Sequence, residues 1–178
     1  MNTMSNLLLL YAGLLVLNTV IAAILWRIGR TSLHRDLLLM WSATVVAFVA
    51  QGAASQAQDQ LIIVYAFATV FLVNFSLARL LAGVMPVRVP VRGSLVLFSV
   101  SFVLAHAAAA AGAPFALIAL PVSVGVSWPL LAIAWPIFTK HWPTLSFTGK
   151  GMAISSMVRG ADEGASALLK SSTMSSSA

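Results

Sequence analysis

The sequence predicts an all-α fold: a polytopic membrane helix bundle of about five transmembrane helices, with the N-terminus outside and the C-terminus in the cytoplasm. Three observations lead there. The 178 residues are 60% hydrophobic and only 8% charged, with a mean hydropathy of +0.98. A soluble domain carries about 25% charged residues, so this chain cannot cover a water-facing surface. Five apolar runs approach or exceed the roughly 20 residues that cross a bilayer core. Finally, one topology puts every Lys and Arg on a single side of the membrane, as the positive-inside rule requires.

Residues 1–6 carry no basic segment ahead of the first apolar run, so they do not read as a cleaved signal peptide. The first span runs from about Leu7 to Trp26 and exits through Arg27, Arg30, His34 and Arg35. The second, about Leu37 to Ala54, fades into the polar loop GAASQAQDQ. The third, about Leu61 to Ala82, is stopped by Pro86 and Pro90, with Arg88 and Arg92 beside them. The fourth, about Ser94 to Ala111, turns at Gly112-Ala113-Pro114, and the fifth covers about Phe115 to Phe138. With the N-terminus outside, Arg27, Arg30, Arg35, Arg79, Arg88, Arg92, Lys140, Lys150, Arg159 and Lys170 all face the cytoplasm, and the outer loops keep only Asp59. Residues 1–143 thus form the transmembrane domain, and 144–178 a cytoplasmic Ser/Gly/Ala-rich tail. Met152 to Lys170 reads as a weak helix, and the last eight residues, SSTMSSSA, as disordered.

The fifth span carries the most distinctive pattern. Trp128-Pro129, Trp135-Pro136 and Trp142-Pro143 recur at a spacing of seven, which places the indoles near one stripe of a continuous helix. Each proline removes a backbone donor and crowds the carbonyl four residues back, which a membrane helix tolerates when its neighbours satisfy that carbonyl. The pairs read either as bends and interface anchors or as a kinked, bistable helix that relays a signal to the cytoplasm.

Other chemistry has little to build on. The chain has no cysteine, so thiolate metal sites and disulfides are excluded. The four carboxylates, Asp36, Asp59, Asp162 and Glu163, fall in expected loops or the tail, leaving no acid/base pair at membrane depth. His106 is the one histidine within a span, too few for a bis-histidine haem. No cofactor, metal or catalytic residue is expected, and no enzyme. Asn18, Asn74 and His106 read either as interhelical hydrogen-bonding groups or as the lining of a small polar pocket. Arg27, Arg30, Arg35, Arg79, Arg88 and Arg92 read as interface anchors, with Arg79 snorkelling from the third span and Trp26 and Trp41 in the aromatic belt. The Ser- and Ala-rich fourth span suits close helix approach or dimerisation. Basic residues interspersed between spans follow topology rather than forming a nucleic-acid patch, so the expected partners are membrane lipid and a second copy or other membrane subunits.

The stretches LLVLNTVIAAILWRIGRT, LLLMWSATVVAF and VNFSLARLLAGVMP, in that order within residues 7–92, resemble the multi-helix N-terminal sensory regions of bacterial signalling proteins of the membrane-bound diguanylate cyclase and histidine kinase type. The resemblance implies a helix bundle ahead of a cytoplasmic output. It transfers no site residue, since such regions share no fixed ligand set. The chain contains neither a GG[DE]EF-type loop nor a phosphoacceptor-histidine motif. The leading expectation is a sensory, signal-transducing membrane module in a bacterial inner membrane, relaying through the fifth helix. The alternatives are an accessory subunit of a larger membrane complex and, third, a small transporter.

Overall fold

A computed structural model describes residues 3–55, 60–85 and 87–144, together with 151, 154, 155 and 158. The described residues form five long helices: α1 (Thr3–Gly29), α2 (Ser32–Ala54), α3 (Gln60–Val84), α4 (Val91–Ala110) and α5 (Phe115–Pro136). A π-turn (Ile137–His141) and a 3₁₀ turn (Trp142–Thr144) extend α5. All five helices are long and apolar enough to cross a membrane. Asp59, Pro86, Lys150, Arg159, Lys170 and the expected disordered end lie outside the described residues, as does most of the expected tail helix.

The turns have local causes. Arg30 takes the left-handed conformation (φ 45°) and returns its N–H to the Trp26 carbonyl at 2.9 Å, closing α1 in the manner usually reserved for Gly or Asn. Thr31 then caps α2, its hydroxyl accepting the His34 N–H at 3.2 Å. Helix α2 therefore begins at Ser32 rather than Leu37, and the expected basic loop is mostly helical. A Cβ on Gly29 would meet the His34 imidazole, so a larger residue there would have to displace that side chain. Gly112 (φ 68°) ends α4. Its N–H reaches the Ala109 carbonyl and that of Ala113 reaches Ala108, each at 3.0 Å, a Schellman closure.

Helix α5 is central: it packs on both α3 and α4, while α2 packs on α3 and α1 chiefly on α2. Two clusters hold the bundle. One joins Ala78, Leu81, Met85 and Val87 to Leu130, Ile133 and Ile137. The other joins Val64, Val70 and Phe71 to Ala105, Ile118, Val122 and Val126. Between them α4 and α5 come very close: a Cβ on Gly125 would lie 2.9 Å from the Ser101 Cβ and 3.2 Å from the Phe98 Cα. Glycine is required there by contact, not by torsion. An aromatic ladder runs along the α3–α4 seam, with Phe71 stacked on Phe98 at 4.1 Å between centroids, and Tyr65 edge-on to Phe102 at 5.6 Å.

Candidate functional site

The basic end of the bundle holds the most strongly interacting polar groups. Asp36 is buried on the second turn of α2, one of the four carboxylates expected in loops or the tail. That expectation fails here because the Thr31 cap starts the helix early. Its Oδ1 lies 3.0 Å from Arg79 Nη2 on α3 and 3.7 Å from Arg35 Nε. The same oxygen makes no directed hydrogen bond, so the Arg79 contact is coulombic rather than aligned along an N–H. Arg79, expected to snorkel, is thus tied across the helix pair, with its side chain 36% exposed. Pairing offsets the cost of burying the Asp36 carboxylate against α3.

Arg27, Arg30 and Arg35 gather at the α1–α2 turn, whereas Arg88 and Arg92 are exposed around the start of α4. The Asp36–Arg79 contact joins the start of α2 to the end of α3, and the Met85–Ile137 cluster joins the end of α3 to the end of α5. All described Lys and Arg residues therefore sit at one end of the bundle.

The Trp-Pro segment divides. Helix α5 runs unbroken past Pro121 and Pro129, and after Pro136 the backbone widens into the π-turn. Trp128 and Trp135 are exposed on the helix surface. Trp142 instead packs on the α3–α5 cluster and stacks on Phe138 at 4.7 Å. A seven-residue spacing keeps side chains on one stripe only at α-helical pitch. The wider π-turn advances less per residue, so Trp142 leaves the stripe on which Trp128 and Trp135 lie. Pro129 is fully buried, and Pro143 is exposed.

Asn18, Asn74 and His106 are not brought together. Asn18 Nδ2 donates to the Leu14 carbonyl of its own helix at 2.9 Å. Asn74 is fully buried on α3 and donates across to the Val126 carbonyl of α5 at 3.1 Å. His106 lies on α4, its Nδ1 2.9 Å from the Phe102 carbonyl and its Nε2 3.0 Å from the Tyr65 hydroxyl. A carbonyl can only accept, so Nδ1 carries a proton; in the neutral ring Nε2 then accepts from the Tyr65 O–H. Tyr65 and Asn74 stand nine positions apart on α3, roughly 13 Å at 1.5 Å per residue, so Asn74 and His106 do not line one pocket.

Tyr65 was missed by sequence reading, and so was the aromatic ladder. The signal available was the spacing of Phe98, Phe102 and His106 at i, i+4 and i+8, one face of a helix. Nothing in the sequence pointed to Asp36 and Arg79 as partners, since they lie on different helices. No family model, curated protein or solved structure matches this chain.

Proposed function

We propose that this chain is a non-catalytic integral membrane module that passes a conformational signal through α5 to a cytoplasmic output. The observation that carries the reading is the exit of α5. Over the last turn of the span, which runs to His141, the backbone leaves α-helical geometry for a π-turn and then a 3₁₀ turn, and π-turns are frequent at functional sites. That exit is clasped by α3 through Leu81, Met85, Ile137 and Trp142, and α3 is tied to α2 by Asp36 and Arg79. A shift between α2 and α3 would thus reach the last turn of α5 through side chains already in contact. The gathering of the described cations at one end supports placing that end, and the exit of α5, on the cytoplasmic side; a bacterial inner membrane is assigned from the resemblance to bacterial sensory regions alone.

A second reading, an accessory subunit of a larger membrane complex, draws on α1, which packs chiefly on α2 and leaves most of its apolar surface exposed. Intact mass and composition, measured after gentle extraction from the native membrane, separate the two. The relay predicts a cytoplasmic signalling domain, in the same polypeptide or bound to it. A chain of 18.7 kDa held in an assembly without such a domain would sink the relay and leave the accessory subunit. The same chain alone would reopen transport.

A further inference from the structure

A cavity of about 560 Å³ opens at the α1–α2 turn, lined by Trp26, Arg27, Arg30, Thr31, Ser32 and Arg35. It is a half-open groove rather than an enclosed cavity, so a molecule seated there would keep part of its surface outside the protein. Three of its six lining residues are arginines, and their charge is poorly compensated. Asp36, the sole carboxylate among the described residues, is engaged by Arg79 at 3.0 Å and lies 3.7 Å from Arg35. Arg27 and Arg30 have no acidic partner among the described residues. Left-handed Arg30 and the Thr31 cap reverse the chain here, bringing the end of α1 and the start of α2 around one concave space.

We infer that this cavity binds the phosphate of an anionic phospholipid headgroup. Arginine suits a phosphodiester because its planar fork presents paired donors to phosphate oxygens. The Thr31 and Ser32 hydroxyls add neutral donors without adding charge. Basic pockets between membrane helices at the headgroup level are suited to such lipids. The choice of lipid over free phosphate rests on the surroundings. Trp26, 44% exposed, lines the cavity itself and is the aromatic type that sits at the membrane interface. It stands where two helices long and apolar enough to cross a membrane meet. A free phosphate would use the arginines and leave the indole idle.

The test is native mass spectrometry of the full chain in mild detergent, with phosphatidylglycerol or phosphatidylcholine added at equal concentration. Wild type should retain phosphatidylglycerol at least tenfold more than phosphatidylcholine. Replacing Arg27, Arg30 and Arg35 together by Gln should remove that preference. An Arg88→Gln, Arg92→Gln double variant, which also lowers charge at the same end, should change it less than twofold. Equal loss in both variants would mean diffuse attraction to the basic end and would overturn the site. Displacement of the lipid by millimolar inorganic phosphate, with phosphate retained in its place, would overturn the lipid assignment. Wild type alone gives a second readout should the triple variant not fold. A photoactivatable phosphatidylglycerol should label the peptide covering residues 26–35, and labelling confined to other segments would refute the proposal.

Discussion

Helices α1 and α5 make an instructive pair. Helix α1 is the more apolar, with a mean hydropathy of 2.4 against 2.0 for the α5 span. Yet 11% of the α1 window is buried against 50% of the α5 window. In water the greasier helix would be expected inside. In a bilayer the lipid tails are as apolar as leucine, so hydrophobicity gives helices no reason to associate, and packing decides instead. Helix α1 is dominated by Leu, and it turns Leu8, Leu9, Leu10, Leu14 and Leu17 outward. Helix α5 interleaves small residues with β-branched ones, and it buries Ala119, Gly125, Ser127 and Ala134 beside Ile118, Val122 and Ile133. Its three prolines also favour an interior place, because each frees a carbonyl that lipid cannot satisfy and a neighbouring helix or water can.

Matched substitutions in the two regions test that comparison. The largest difference is expected at glycine. Gly125→Leu must displace the Ser101 side chain and the Phe98 backbone, and should cost about 3 kcal/mol or more through overpacking. Gly13→Leu on α1, where a Cβ meets nothing within 4 Å, should stay within about 0.5 kcal/mol. Unfolding of the purified protein by SDS titration, followed by circular dichroism, gives both values, and equal shifts would mean that α5 is not the packed centre. A smaller gap should separate two leucines. Leu130→Ala, at 1% exposure on α5, should lose about 2 kcal/mol as a cavity opens, while Leu9→Ala at 67% exposure should be close to neutral in the same titration.

The smallest contrast lies between two asparagines. Asn74→Ala strips the Val126 carbonyl of α5 of an interhelical donor, a loss of about 1 kcal/mol. Asn18→Ala removes a bond within α1 and should leave the midpoint nearly unmoved. Were Asn18→Ala to prove the more damaging of the two, α1 would be making contacts in the membrane beyond the packing on α2 described here.

Each of these contrasts depends on tertiary position, and that is where sequence reading was weakest. The limits of α3, α4 and α5 follow from the sequence to within a few residues, because length, hydropathy and turn chemistry are local properties. The Gly112 turn and the two apolar runs flanking it are enough to place the α4–α5 hairpin. Helix α2 is the exception: the Thr31 cap outweighs the polar appearance of His34-Arg35-Asp36 and carries the helix through all three. Among the site residues, the sequence singled out Asn74 and His106 as polar groups within spans, but not the carbonyl of Val126 or the hydroxyl of Tyr65 that they meet. Those partners lie 52 and 41 positions away along the chain.

By itself, then, the sequence determined that this is an all-helical chain with five spans, and it marked the basic residues that share one end. These follow from the cost of leaving backbone polar groups unpaired in hydrocarbon and from the length of helix needed to cross it. Only the tertiary structure decided that α5 rather than the more apolar α1 occupies the centre, that Asp36 meets Arg79, and that Trp142 leaves the stripe of its two predecessors. The reason is physical: once every helix is soluble in lipid, its neighbours are chosen by shape and by a few cross-helix polar contacts, and neither is periodic along the chain.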